Sequence, residues 1–244
     1  MIIASLLEDQ KIEKRISITP EIAKKYIELG FEVHIVENYG KHLGFENKEY
    51  LDFGVKVISD EKEIVQNADV IIQLGLPNDS KISLLKSNQT IIGVLNPYEN
   101  KDKLKEISKK NVNLFSLELL PRITRAQSMD ILSSQANLAG YKAVIEAFAE
   151  FKKAIPMMMT AAGTVPAAKV LVVGAGVAGL QAIATAKRMG AIVYATDVRM
   201  ASKEQVESLG GKFLTVDGSE NLETESGYAK ESSQDFKKKQ EELL

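Results

Sequence analysis

The chain has 244 residues, 45% hydrophobic and 26% charged, the composition of an ordinary globular protein with length for one large or two small domains. Its 31 Lys and Arg against 33 Asp and Glu leave a formal charge of −2, without the basic field of a nucleic-acid binder. The absence of cysteine excludes disulfides, thiolate nucleophiles and zinc–sulfur sites, and two histidines, His34 and His42, are too few for a multi-histidine metal centre.

Residues 2–7 read as a first strand and not as a signal peptide, because no basic flank precedes them and Glu8 follows. Thr19-Pro20-Glu21 opens a helix: Thr19 caps, Pro20 suits the first helical position and Glu21 complements the dipole. Gly30 closes it. Further strands are predicted at 31–36, 55–58, 70–74, 90–95 and 113–117, with helical stretches between them. Such alternation implies parallel pairing, and the expected fold of the N-terminal half is a flavodoxin-like α/β domain over residues 1–129. Residues 130–154 read as one long helix in which Gly140 allows close packing, with Pro156 as its stop. Met157-Met158-Met159 reads as flexible core filler. Residues 160–166, small and breaker-rich, read as a joint, so that 130–165 links the two domains. No apolar run approaches the roughly 20 residues of a membrane span. Residues 234–244 suit a surface helix.

A second α/β unit begins at Ala168-Lys169-Val170-Leu171-Val172-Val173, a buried-strand pattern. Gly174-Ala175-Gly176-Val177-Ala178-Gly179 follows at once, then an Ala-rich helix to Gly190 and a strand that ends in Asp197. A lone GxGxxG is weak evidence. This one sits between strand and helix, with an acid 18 residues after its last glycine, which is the context a dinucleotide fingerprint requires. Gly174 permits the tight turn, Gly176 a close backbone approach to a pyrophosphate, and Gly179 the packing of helix on strand. Val177 and Ala178 open the helix whose N-terminus faces the phosphates. Asp197 suits the two ribose hydroxyls of an adenosine and disfavours a 2′-phosphate, so NAD is favoured over NADP; Arg199, two residues on, weakens that preference. The competing reading is a glycine turn that binds nothing, or another nucleotide.

No nucleophile, acid–base pair or metal-ligand set stands out. Ser133-Ser134 suit capping or ligand contact. His34 lies in a strand pattern and reads as structural, and His42 as a solvated loop residue. Hydride transfer between nicotinamide rings needs no protein base, because the cofactor carries the chemistry.

The segment Pro121-Arg122-Ile123-Thr124-Arg125-Ala126-Gln127-Ser128-Met129-Asp130-Ile131-Leu132-Ser133-Ser134-Gln135 resembles the NAD(H)-binding domain I of the proton-translocating transhydrogenases. The likeness extends through Pro156-Met157-Met158-Met159-Thr160-Ala161-Ala162-Gly163-Thr164, the glycine turn and Lys203-Glu204-Gln205-Val206-Glu207-Ser208-Leu209-Gly210-Gly211-Lys212-Phe213 to Gly227-Tyr228-Ala229-Lys230. The resemblance implies that Arg122, Gln127, Asp130 and Ser133 hold the nicotinamide end of NAD(H), that Tyr141 packs near that pocket, and that Tyr228 lies on a loop that closes over the nucleotide. For Arg122 and Asp130 the residues alone favour a structural ion pair, with Asp130 capping the long helix. The resemblance also implies hydride transfer from NADH to an NADP(H) cofactor held on a partner domain, a membrane-spanning partner that couples it to proton movement, a homodimer, and a cytoplasmic place at the inner membrane reached through those partners.

Alanine dehydrogenases share this superfamily and the early Arg of Lys14-Arg15-Ile16-Ser17-Ile18-Thr19-Pro20. They use a Lys and a His in the first domain. The corresponding stretches here, Val70-Ile71-Ile72-Gln73-Leu74 and Gly93-Val94-Leu95-Asn96-Pro97, hold neither, and Arg15 reads as a remnant. Residues 166–244 are expected to be the first half of a Rossmann NAD-binding domain, truncated at its C-terminal side, with exposed sheet edge and apolar surface. A fragment that binds nucleotide or assembles with a partner without activity of its own is therefore the alternative reading.

Overall fold

A computed structural model describes residues 1–121, 123–215 and 233–243 of the chain. The chain divides into two units, Met1–Asp130 and Ile131–Leu244.

In the first unit the short apolar runs become strands and the amphipathic stretches between them become helices. The order is β1 (Ile2–Ser5), α1 (Pro20–Glu28), β2 (Glu32–Val36), α2 (Asn47–Leu51), β3 (Lys56–Ile58), α3 (Glu61–Asn67), β4 (Val70–Gln73), α4 (Asp79–Ser83), β5 (Thr90–Gly93), α5 (Lys101–Ser108) and β6 (Asn113–Ser116). Helix α1 starts and stops as its sequence demands: Thr19 Oγ1 accepts from the Ile22 N–H at 3.4 Å, Pro20 occupies the first turn, and Gly30 leaves at φ +86°.

The six strands are parallel, in the order β3-β2-β1-β4-β5-β6. All six expected strands are present. Their order is that of the classic doubly wound sheet, with β2 and β4 flanking β1, whereas the flavodoxin-like order expected from the sequence would put β3 in the place of β4. Apolar periodicity marks where strands lie; it does not say to which side each crossover turns. Ile3, Val33 and Ile35 pack with Ile18, Tyr39 and Tyr50, while Ala4, Ile71 and Ile91 pack with Ile64, Val65 and Ile107. Successive residues of one strand feed different clusters, so the sheet is buried on both faces, as parallel sheets are.

The second unit runs α6 (Ile131–Glu150), β7 (Met158–Thr160), β8 (Gly163–Val165), β9 (Lys169–Val173), α7 (Val177–Arg188), β10 (Ile192–Thr196), α8 (Ser202–Ser208), β11 (Lys212–Phe213) and α9 (Gln234–Leu243). Its parallel sheet has the order β11-β10-β9, the same arrangement as the β3-β2-β1 half of the first sheet. Ile183, Ala186, Val193, Ala195 and Val206 form its core with Val144 of α6. On the outer side of β9 no strand pairs among the described residues. Leu171 and Val173 are exposed there, and a groove of about 400 Å³ lined by Phe148, Phe151, Val170 and Val172 runs alongside.

Two local expectations need correction. The methionine run is not core filler, for Met157, Met158 and Met159 are all exposed, Met159 to 84%. The breaker-rich stretch beside it is half of an antiparallel hairpin, β7 with β8, and a two-stranded ribbon has no face to bury them on. Thr160 fixes the hairpin turn, its hydroxyl accepting from the Ala162 N–H at 3.2 Å and donating to Gly163 O at 2.9 Å. Helix α6 also ends earlier than expected, at Glu150.

Candidate dinucleotide site

Strand β9 runs directly into the glycine turn. Gly174 has φ +94°, a conformation L side chains rarely adopt, and its N–H donates to Thr196 O at 2.8 Å, which ties the turn to the end of β10. A Cβ on Gly179 would lie 1.8 Å from Gly174 O, so the first turn of α7 rests on the glycine turn at a distance that only hydrogen permits. At Gly176 the situation is reversed. The nearest heavy atom to a Cβ there is Arg199 Nη2, 3.9 Å away. The space over Gly176 is open, and a ligand can approach its backbone closely.

Helix α7 begins at Val177 with no side-chain cap from Gly176. The N–H groups of Val177, Ala178 and Gly179 belong to the first turn, which has no intrahelical acceptors, and they give this end a positive potential. An anion of phosphate size fits the turn on both counts, geometry and charge.

Asp197 directly follows β10, and its side chain is only 5% exposed. Its Oδ2 accepts from the Ala175 N–H at 2.6 Å and from Arg199 Nη2 at 3.0 Å. Its Oδ1 accepts from the Arg199 backbone N–H at 2.8 Å and from Arg199 Nε at 2.9 Å. Burial pushes this carboxyl up, but the guanidinium and the backbone N–H groups of Arg199 and Ala175 outweigh it and hold the group below its ordinary value. An ionised carboxylate therefore stands beside the open glycine turn, where it can accept from sugar hydroxyls.

Gly174, Gly176, Val177, Ala178, Gly179, Asp197 and Arg199 are thus brought together in the second unit. Gln127 is exposed in a 3-10 turn of the first unit (Thr124–Met129), and Asp130 directly precedes α6. Ser133 lies in the first turn of α6, in the second unit, and Tyr141 is exposed further along it. Arg122 and Tyr228 lie outside the described residues. Sequence reasoning missed Ala175, whose N–H orients Asp197. The glycine fingerprint leaves that position blank, and its place between two glycines at a strand end was the available signal.

The remaining titratable candidates are engaged in structure. His34 is buried and donates from Nε2 to Glu32 Oε1 at 2.6 Å. His42 donates from Nε2 to Lys14 O at 2.7 Å, which leaves Nδ1 to accept from Gln10 Nε2 at 3.1 Å. Arg15 forks onto Glu13 with Nε–Oε1 at 2.8 Å, and Lys81 pairs with Glu61 at 2.8 Å. Among the described residues no group of three or more His, Asp or Glu is placed to hold a metal ion.

Residues 6–139 match the family description "Alanine dehydrogenase/PNT, N-terminal domain", and residues 143–243 match "Alanine dehydrogenase/PNT, C-terminal domain". The chain is 50% identical to the first polypeptide of the divided NAD(P) transhydrogenase subunit alpha of Rickettsia prowazekii, over 100% of this chain and 65% of that protein. It is similar in structure to the transhydrogenase of Sinorhizobium meliloti, with TM-score 0.84 and 48% identity over 88% of this chain and 64% of the other. Alanine dehydrogenase of Methanococcus maripaludis is more distant, at 25% identity over 88% of this chain and 58% of the relative. The chain spans 65% of the length of the Rickettsia relative. With both domain descriptions matched in chain order, the chain belongs to the alanine dehydrogenase/PNT family.

Proposed function

We propose that this chain is the NAD(H)-binding component of a proton-translocating NAD(P) transhydrogenase. The observation that carries the reading is the open backbone at Gly176 set between the uncapped start of α7 and the ionised Asp197. When bound there, NADH supplies the hydride that passes to NADP⁺ held on a partner domain. The first-turn N–H groups of α7 hold the pyrophosphate, and Asp197 takes the hydroxyls of the adenosine ribose. Gln127, Asp130 and Ser133, together with Arg122 and Tyr228, are assigned to the nicotinamide end by resemblance to the family. The protein's part is placement and exclusion of water, since neither ring needs a protein base for the transfer.

Amino-acid dehydrogenation fits less well. The ends of β4 and β5 carry Leu74-Gly75 and Leu95-Asn96, without a Lys or a His to bind and protonate a keto acid. A second reading, nucleotide binding only in assembly with another polypeptide, is favoured by the unpaired outer side of β9 and its exposed Leu171 and Val173.

The proposed partners are a membrane-spanning domain and an NADP(H)-binding domain, at the cytoplasmic face of the inner membrane. Among the described residues no helix is long and apolar enough to cross a membrane. Dimerisation is proposed too, and the exposed methionines of the β7–β8 hairpin supply apolar surface for it. The decisive experiment mixes the chain with a purified NADP(H)-binding partner domain, NADH and an NADP⁺ analogue of shifted absorbance. Turnover supports the first reading. NADH binding without turnover supports the second, and no NADH binding overturns both.

A further inference from the structure

Asp197 has four acceptor positions on its carboxylate, and four hydrogen bonds from Ala175 and Arg199 fill them. Two come from backbone N–H groups, which are fixed by the turn. Two come from the Arg199 guanidinium, which is not fixed: its side chain is 20% exposed and its Nη2 borders the open space over Gly176. The planar fork of a guanidinium matches a phosphate as well as it matches a carboxylate.

We infer that Arg199 is a latent 2′-phosphate-binding group held in check by Asp197, so that the pair, and not Asp197 alone, sets the selectivity of this site between NAD(H) and NADP(H). The inference rests on the dinucleotide reading of the turn. Ribose hydroxyls can take over the two places of the guanidinium on Asp197, while the backbone donors of Ala175 and Arg199 keep the carboxylate ionised and oriented. A 2′-phosphate cannot make the same exchange. To reach it, Arg199 must leave a carboxylate that is almost wholly buried, and that carboxylate then faces a second anion across the site. With the pair intact its charges cancel, and the phosphate gains nothing.

The experiment titrates NADH and NADPH against the full chain, against Asp197→Ser, against Arg199→Gln and against the double variant, with a thermal melt of each. Asp197→Ser is expected to tighten NADPH at least about tenfold and to weaken NADH, and the double variant to lose that NADPH gain. An NADPH affinity unchanged in Asp197→Ser, or a gain that survives in the double variant, overturns the inference while NADH binding by the unaltered chain keeps the dinucleotide reading. If the unaltered chain binds neither cofactor, both fall. Should Asp197→Ser fail to melt cooperatively, Arg199→Gln decides: the preference for NADH over NADPH must widen by at least about threefold, because Asp197 is then unscreened, and an unchanged ratio overturns the inference.

Discussion

A Cβ placed on Gly140 of α6 would stand 2.0 Å from the carbonyl oxygen of Ala178, in the first turn of α7. The two helices therefore cross backbone against backbone, and the crossing sets where the phosphate-facing N–H groups lie. On propensity alone Gly140→Ala should stabilise a helix interior by about 1 kcal/mol. The contact reverses the sign, since overpacking costs about 1–3 kcal/mol. The variant is expected to melt several degrees lower and to bind NADH more weakly, read by a thermal melt and a fluorescence titration. A higher melting temperature would mean that the crossing has slack.

The glycine turn offers a contrast between two alanine substitutions of identical chemistry. In Gly179→Ala the new methyl meets Gly174 O at 1.8 Å, so the fold must shift, and both stability and NADH affinity are expected to fall. In Gly176→Ala the methyl enters open space, 3.9 Å from its nearest neighbour. That variant should melt close to the unaltered protein yet bind NADH at least about tenfold more weakly, because the methyl occupies the approach of the pyrophosphate. If Gly176→Ala binds NADH normally, the phosphates do not pass over that residue.

Asp197 makes a prediction in pH. Its carboxyl is held below the ordinary value, because the Arg199 and Ala175 donors together outweigh burial. A depressed carboxyl contributes stability that is present above its unfolded value and lost as pH falls through the folded one. NADH affinity owed to this group should be flat from about pH 8 to pH 5 and decline below about pH 4, together with the melting temperature. Calorimetric titrations across that range check it. A loss of affinity centred near neutral pH would assign the ribose contact to another group.

Much of this was legible in the residues. Strands and helices announce themselves by period, and α1 carries its own signals in Thr19, Pro20 and Gly30. The dinucleotide turn is legible because its chemistry is local: strand, glycines, helix start and acid lie within 29 residues from Lys169 to Asp197. What was not legible depends on distant choices. The place of β4 beside β1 reflects how crossovers pack, not any residue of β1. The methionines read as apolar filler because composition cannot say that their segment pairs only with β8. The occupation of Asp197 by Arg199 is a matter of side-chain geometry, and a sequence gives only their separation of two.

Glu8, just beyond β1 in the first unit, carries the last prediction. Its Oε1 accepts from the Leu74 N–H at 2.6 Å and the Gly75 N–H at 3.4 Å. Burial nonetheless pushes its carboxyl above the ordinary value, helped by the negative charge of Glu13. The sign is opposite to that of Asp197: a raised carboxyl favours the fold fully below its unfolded value, and that contribution is lost as pH rises through the folded one. At pH 7 the ionised group is therefore a net cost. Glu8→Gln keeps an oxygen for the two N–H groups and removes the charge, so it should raise the melting temperature at pH 7. The gain should shrink as pH falls and vanish below about pH 4, where Glu8 itself is protonated. A lower melting temperature at pH 7 would mean that the backbone donors of Leu74 and Gly75 need the full negative charge, and that burial is the smaller effect at this position.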